Sequence, residues 1–250
     1  FFIATYDVSS LKRILVGSAP VLPEETQRFY QTFNIRVVQG YGQTETALRV
    51  TGVPIDLDEK LYIHTLKTNT IGVELKNNNV KILTPDGSRA KEKEEGEISI
   101  KGPILASGYL KDEFSTKESF YDGWFHSGDI GYWKEERQQI YFYIVGRSKE
   151  IIIKGGINLS PALIEDALMK QYPEIDEVSV VGFQDARVGE EVAAVIVLKK
   201  DPKKEHDDFK EEILTDGQNG KIAELSPFES PRKIFFVESL PKTSTGKIQR

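Results

Sequence analysis

Apolar and polar positions follow three different patterns along the chain. In the first stretch, Leu11-Lys12-Arg13-Ile14-Leu15-Val16 reads as a short strand ending at the turn Gly17-Ser18-Ala19-Pro20. Pro23-Glu24-Glu25 then opens an amphipathic helix, with proline and acids in the first turn, where free N–H groups and the helix dipole favour them. Phe29, Tyr30 and Phe33 mark its buried face. A second strand, Ile35 to Val38, runs into the glycine-containing loop Gly40-Tyr41-Gly42-Gln43-Thr44-Glu45-Thr46. Strand, helix, strand and loop predict a βαβ piece of a parallel sheet.

From about Ile55 to Val145, short strand candidates alternate with turn signals. The strands are Thr70 to Leu75, Val80 to Thr84, Gly96 to Ile100 and Ile140 to Val145; the turns include Asn77-Asn78-Asn79 and Pro85-Asp86-Gly87. This predicts a small antiparallel sheet or distorted barrel, with Lys91 to Glu95 as a solvated loop. A third pattern starts near Gly146. It gives a strand at Glu150–Ile153, a helix at Pro161–Gln171 behind an N-cap Ser160, strands at Val178–Gly182 and Glu191–Leu198, and a last strand at Lys233–Glu238. Residues Lys199 to Asn219 read as a polar stretch, in which Thr215 to Gly220 interrupts an expected helix. The predicted fold class is α/β followed by α+β. Residues 1–146 form the end of a large domain (1–52 α/β, 53–146 β-rich), and residues 147–250 form a small α+β domain.

Composition narrows the chemistry. With no cysteine among 250 residues, disulfides, thiolate zinc sites and a cysteine nucleophile are excluded. His64, His126 and His206 lie far apart without metal-ligand spacing. Thirty-three basic against 39 acidic residues give a net charge of −6, the wrong balance for a nucleic-acid binder. No apolar run approaches the ~20 residues of a membrane span, and the first residues lack the basic start of a signal peptide, so a cytoplasmic location is expected. The chain opens on Phe1 and its one methionine is Met169, which suggests processing or a start inside a longer polypeptide.

Four segments carry candidate chemistry, each with a plainer alternative. Gln39 to Glu45 combines two glycines with the flat face of Tyr41, the Thr44 hydroxyl for a phosphate and the Glu45 carboxylate for Mg²⁺; it also reads as an ordinary strand-to-helix turn. Asp122 to Gly131 places Asp129 between glycine turns, where a carboxylate can accept from both hydroxyls of a ribose. Trp124 and Phe125 there read as core, and His126 has no obvious partner. Gly146 to Asn158 offers Arg147 to ribose or phosphate oxygens and Gly155-Gly156 for a close approach, or else a surface arginine and a strand-to-helix loop. Pro241 to Arg250 lacks the spacing of a phosphate loop; Lys247 on its glycine turn is a movable point charge or part of a solvated tail.

Taken in order, the segments resemble the adenylate-forming superfamily of acyl- and aryl-CoA synthetases, beetle luciferases and peptide-synthetase adenylation domains. The resemblance rests on LKRILVGSAP (11–20), GYGQTET (40–46), DGWFHSGDIGY (122–132), GRSKEIIIKGGINLSPALIE (146–165) and PKTSTGKIQR (241–250). It implies that Gly17, Ser18, Ala19, Gln39, Gly40 and Tyr41 frame the adenine and acyl pockets. It further implies that Thr44 faces the α-phosphate, Glu45 holds Mg²⁺, Asp129 clamps the ribose with Arg147, Lys149 is the hinge and Lys247 is the lysine of adenylation. Gly155-Gly156 would line the channel of the thiol after rotation of the small domain.

The implied activity is an ATP-dependent carboxylic acid–CoA ligase working through an acyl-adenylate, with ATP, Mg²⁺, coenzyme A and a small carboxylic acid as cofactor and substrates. A carrier-protein-loading adenylation domain and a non-catalytic nucleotide-binding module are the alternatives. The family's Ser/Thr phosphate loop would lie upstream of Leu11, and Ser127 stands where threonine is common. The expectation is therefore a C-terminal half that does not adenylate alone.

Overall fold

The computed structural model describes residues 7–17, 21, 23–200, 205–243 and 248–249. The chain divides into two compact units, Phe1–Ile144 and Val145–Arg250.

In the first unit, strands β1 (Arg13–Val16) and β2 (Arg36–Tyr41) are parallel and joined through helix α1 (Pro23–Phe33), the predicted βαβ piece. The α1 face is shallower than its pattern suggests: Thr26 is buried, whereas Phe29, Tyr30 and Phe33 are half-buried. Strands β3 (Thr51–Gly52) and β4 (Val73–Glu74) extend this sheet antiparallel. Between them lies α2 (Glu59–Thr68), which the sequence reading left out; Asp58 caps it by accepting from the Leu61 N–H at 2.8 Å.

The second sheet contains β5 (Asn79–Leu83), β6 (Gly96–Lys101), β7 (Phe120–Tyr121), β8 (Trp124–Glu136) and β9 (Gln139–Arg147), with α3 (Glu113–Ser119) before β7. Its order is β5-β6-β8-β7, and β9 also pairs with β8. Val80, Ile82, Ile98, Ile100, Phe125 and Phe142 form its core together with Tyr41, Val50 and Ile71. The segment read as a chain of glycine turns is thus a long strand, with Phe125, Ser127, Asp129 and Gly131 alternating onto the buried face. A register shift opposite Glu97/Ser99 and a positive φ of 69° at Gly128 place a bulge in the middle of this strand.

The second unit is α+β. Strands β10 (Ile152–Lys154) and β11 (Ile157–Leu159) form a hairpin, followed by α4 (Pro161–Gln171), β12 (Ile175–Asp185), β13 (Gly189–Leu198), α5 (His206–Gln218) and β14 (Lys233–Phe236). Strands β12 and β13 are a long antiparallel pair, and β14 lies parallel to β13. Ile164, Leu168, Val180, Val192, Ile196, Phe209, Ile213 and Ile234 fill its core.

Two expectations change here. Ser160 sits before α4 but does not cap it; its hydroxyl donates to the Val145 carbonyl at 2.5 Å. The stretch read as polar and interrupted is helix α5, with Phe209, Ile213 and Gly217 buried. Gly217 sits inside this helix at a close contact: a Cβ there would stand 2.8 Å from Ser230 Cβ, so the packing requires a glycine. Among the described residues no helix is long and apolar enough to cross a membrane.

Candidate functional site

In the first unit the site is assembled where β1 and β2 end. Val16 pairs with Gln39, which sets Gly17 opposite Gly40; a Cβ on Gly17 would lie 2.7 Å from the Gly40 carbonyl oxygen. Gly17, Gln39, Gly40 and Tyr41 are therefore neighbours. Ser18 and Ala19 lie outside the described residues.

The close approach expected at the glycines is made by the chain itself. Cβ atoms on Gly40 and Gly52 would both collide with the Arg49 side chain, at 2.1 Å, and one on Gly42 would meet the Leu48 carbonyl at 2.0 Å. Arg49 donates through Nε to the Thr51 carbonyl (3.2 Å) and through a terminal nitrogen to that of Gln39 (3.4 Å). Burial pulls its pKa below the ordinary arginine value.

Tyr41 joins this corner to β8. Its hydroxyl donates to Asp129 Oδ2 at 2.7 Å, and the Gln43 side-chain amide donates to the same oxygen at 2.6 Å and to the Ser127 carbonyl at 3.1 Å. Tyr41 is 8% and Asp129 6% exposed. Burial, and next the Asp129 charge, hold the Tyr41 hydroxyl well above the usual tyrosine pKa, so it remains a donor.

The bulge carrying Asp129 is secured from the neighbouring strand β6. Ser127 Oγ donates to the Ile98 carbonyl at 2.6 Å, and the Gly128 N–H donates to Glu97 Oε1 at 2.9 Å. His126, which lacked a partner in the sequence, has several. Its Nδ1 lies 3.2 Å from Glu97 Oε2 and 3.3 Å from Ser99 Oγ, and its ring stacks on Tyr121 at 3.6 Å. The core reading holds for Phe125, which is fully buried; Trp124 is half-buried with Lys81 Nζ 4.4 Å from its ring centroid.

Thr44 to Thr46 form one 3₁₀ turn directly after this corner. Thr44 is exposed and Glu45 half-buried. Tyr109 donates its hydroxyl to Glu45 Oε1 at 2.8 Å, and the Ala106 N–H donates to the Glu45 carbonyl at 2.7 Å. Among the described residues no three His, Asp or Glu converge to hold a metal. A single carboxylate on a fixed turn fits Mg²⁺, which takes one or two carboxylates and fills its octahedron with phosphate oxygens and water.

The remaining candidates belong to the second unit. Arg147, the last residue of β9, and Lys149, on the turn that follows, are exposed, and the Glu150 and Ile151 N–H groups both donate to the Arg147 carbonyl. Gly155 and Gly156, at φ 56° and 81°, are the two central residues of the β10–β11 hairpin rather than a strand-to-helix loop; two positive φ values in succession make glycine the suitable residue. Lys247 lies outside the described residues. Beside it, Ile248 pairs with Lys242, whose ammonium bonds Glu177 at 2.6 Å.

The partners Gln43, Arg49, Glu97 and Tyr109 were missed as site residues. Glu97 and Tyr109 reach theirs across 31 and 64 positions, and no local pattern signals such contacts.

Comparison with known proteins bears on this geometry. The profile of the family described as AMP-binding enzyme matches residues 2–110, and that of the AMP-binding enzyme C-terminal domain matches residues 163–247. A probable 4-coumarate–CoA ligase of Dictyostelium discoideum is 34% identical over 249 residues, covering 98% of this chain and 42% of its own length. Two structures of o-succinylbenzoate CoA synthetase from Bacillus subtilis superpose with TM-scores of 0.79 and 0.76 at 27% and 28% identity, the first holding an acyl-adenylate and the second ATP and a magnesium ion. Each covers 96% of this chain, which in turn covers 45% of theirs. The chain thus spans less than half the length of the relatives it matches.

Proposed function

We propose, proceeding from the chain's membership of the AMP-binding enzyme family, that it serves an ATP-dependent ligase that joins a carboxylic acid to coenzyme A through an acyl-adenylate. The observation that carries the reading is the buried Tyr41–Gln43–Asp129 cluster set directly before the Thr44-Glu45 turn. It supplies a rigid carboxylate for ribose hydroxyls, an aromatic residue at the end of a strand, and a hydroxyl and a carboxylate suited to phosphates.

In the first half-reaction a substrate carboxylate oxygen bonds to the α-phosphorus of ATP, the bond to the bridging oxygen breaks, and pyrophosphate leaves. Two anions meet in that step. The ammonium of Lys247 is the compact cation that offsets the developing charge, while the Thr44 hydroxyl orients the α-phosphate. Glu45 is the protein ligand for Mg²⁺, which when bound neutralises charge on the departing pyrophosphate. Asp129 and Arg147 hold the ribose, and Gly17, Ser18, Ala19, Gln39, Gly40 and Tyr41 border the adenine and acyl group. In the second half-reaction the sulfur of coenzyme A, its proton lost to solvent, bonds to the acyl carbon and AMP departs. Gly155-Gly156 borders the path of that thiol, and Lys149 takes the hinge position at the start of the small domain.

The test is made on the full-length polypeptide. Acid-dependent ATP–pyrophosphate exchange and acid-, ATP- and CoA-dependent thioester formation are expected across a panel including 4-coumarate, o-succinylbenzoate and long-chain fatty acids. Binding of ATP without exchange for any acid would overturn the ligase reading, and transfer to a holo carrier protein but not to CoA would overturn the acceptor. Lys247→Ala is expected to lower adenylation by about 10²-fold or more, while thioester formation from supplied acyl-adenylate stays within about twofold. Equal loss in both steps would refute the role given to Lys247.

A further inference from the structure

Among the described residues, Lys154 is the lysine withdrawn from water, with 3% exposure at the end of β10. Its ammonium pairs with Glu191 of β13, itself 7% exposed, and donates to the Phe228 carbonyl at 2.5 Å. It also lies 4.6 Å from the centroid of the Phe228 ring. Glu191 Oε1 accepts in addition from the Val192 N–H at 3.0 Å. The segment bearing Phe228 is braced: Ser226 bonds Glu229 through both its N–H and its hydroxyl, and the fully buried Ser230 donates to the Ser226 carbonyl.

A buried ion pair is a weak source of stability, since apolar side chains of similar volume often do as well. This pair instead fixes position. It ties β10, β13 and the 226–230 segment together at the residue immediately before the hairpin turn. The turn has further ties: the Gly155 N–H donates to the Val188 carbonyl at 2.7 Å, and a Cβ on Gly155 would stand 3.5 Å from the Phe228 ring.

We propose that Lys154 and Glu191 are positioning residues for the Gly155-Gly156 turn, and that this placement serves transfer of the acyl group to the thiol. The second clause rests on the function proposed above; the first does not.

The test compares Lys154→Met with the double variant Lys154→Met/Glu191→Leu, which leaves no unpaired buried charge. Both are made in the full-length polypeptide. The double variant is expected to recover a thermal midpoint near the wild type. Its thioester formation from supplied acyl-adenylate should nevertheless fall about 10- to 100-fold in kcat/KM for CoA, with ATP–pyrophosphate exchange within about twofold. Amide hydrogen exchange at Gly155, Gly156 and Ile157 should accelerate in both variants. A stable double variant with wild-type thioester kinetics would overturn the role in transfer, because restored stability would then be all that mattered. Unchanged amide exchange in the double variant would overturn the positioning claim itself. If the wild-type polypeptide forms no thioester, the proposed function fails separately, and amide exchange still decides whether the pair holds the turn.

Discussion

A carboxylate taken out of water must have its oxygens met, and Asp129 shows how the chain does this across a long sequence distance. Tyr41 and Gln43 both donate to Asp129 Oδ2, and the Tyr41 hydroxyl keeps its proton because burial raises its pKa. Tyr41→Phe keeps the ring and removes one donor to a buried charge. It is expected to lower stability by about 1–3 kcal/mol, read from the urea midpoint at unchanged slope. Tyr41 and Asp129 were both recognisable in the sequence as functional types. Their contact was not, because 88 positions separate them and only the pairing of β6 with β8 and the bulge at Gly128 bring Asp129 into place. His126 was illegible for the same reason: Glu97 and Tyr121 come from other strands.

At the level of elements, legibility followed periodicity. The β1-α1-β2 unit, α4 and the β12–β13 pair have strong apolar patterns and were recognised. Helix α5 was not, because its polar composition and Gly217 argued against it, and the contact that makes glycine necessary belongs to Ser230, 13 positions away. Turn chemistry read well in the β5–β6 hairpin. There Thr84 Oγ1, Ser88 Oγ and the Ser88 N–H donate to Asp86 Oδ1 at 2.5, 2.8 and 3.1 Å, pulling the Asp86 pKa from 3.8 down to about 2. A depressed folded-state value means that this contribution is fully present above about pH 4 and is lost as pH falls through about 2. The Asp86 side-chain carbonyl resonance should therefore titrate near pH 2, and Asp86→Asn should remove that part of the acid sensitivity. A midpoint at the ordinary aspartate value would contradict the network.

Among the described residues, two hydrophobic cores share no residue: one is built around Ile98, Ile100 and Phe125, the other around Leu168, Val180 and Ile196. Such cores are expected to open independently. Leu168→Ala removes a fully buried side chain from the second core and should destabilise it by about 2–5 kcal/mol. Hydrogen exchange should then speed up at protected amides of residues 145–250 and stay unchanged at Ile98, Ile100 and Phe125. Acceleration in both sets would mean that the units unfold as one. The sequence pattern changes near Gly146, but a one-dimensional pattern carries no information on how far cooperativity extends.

The placement of Arg49 makes Gly40 and Gly52 epistatic. Neither glycine has a positive φ, so alanine is sterically allowed by the backbone at both, and in each case the obstacle is the same guanidinium held by the Thr51 and Gln39 carbonyls. The first substitution displaces the Arg49 side chain, and the second then no longer meets the three nearest atoms that oppose it, all of which belong to Arg49. Gly40→Ala and Gly52→Ala should thus combine sub-additively, with a coupling of about 0.5–3 kcal/mol in a double-mutant cycle. In an Arg49→Ala background both should become nearly neutral. For a lineage that loses this arginine, the constraint that it places on both glycines would be lifted.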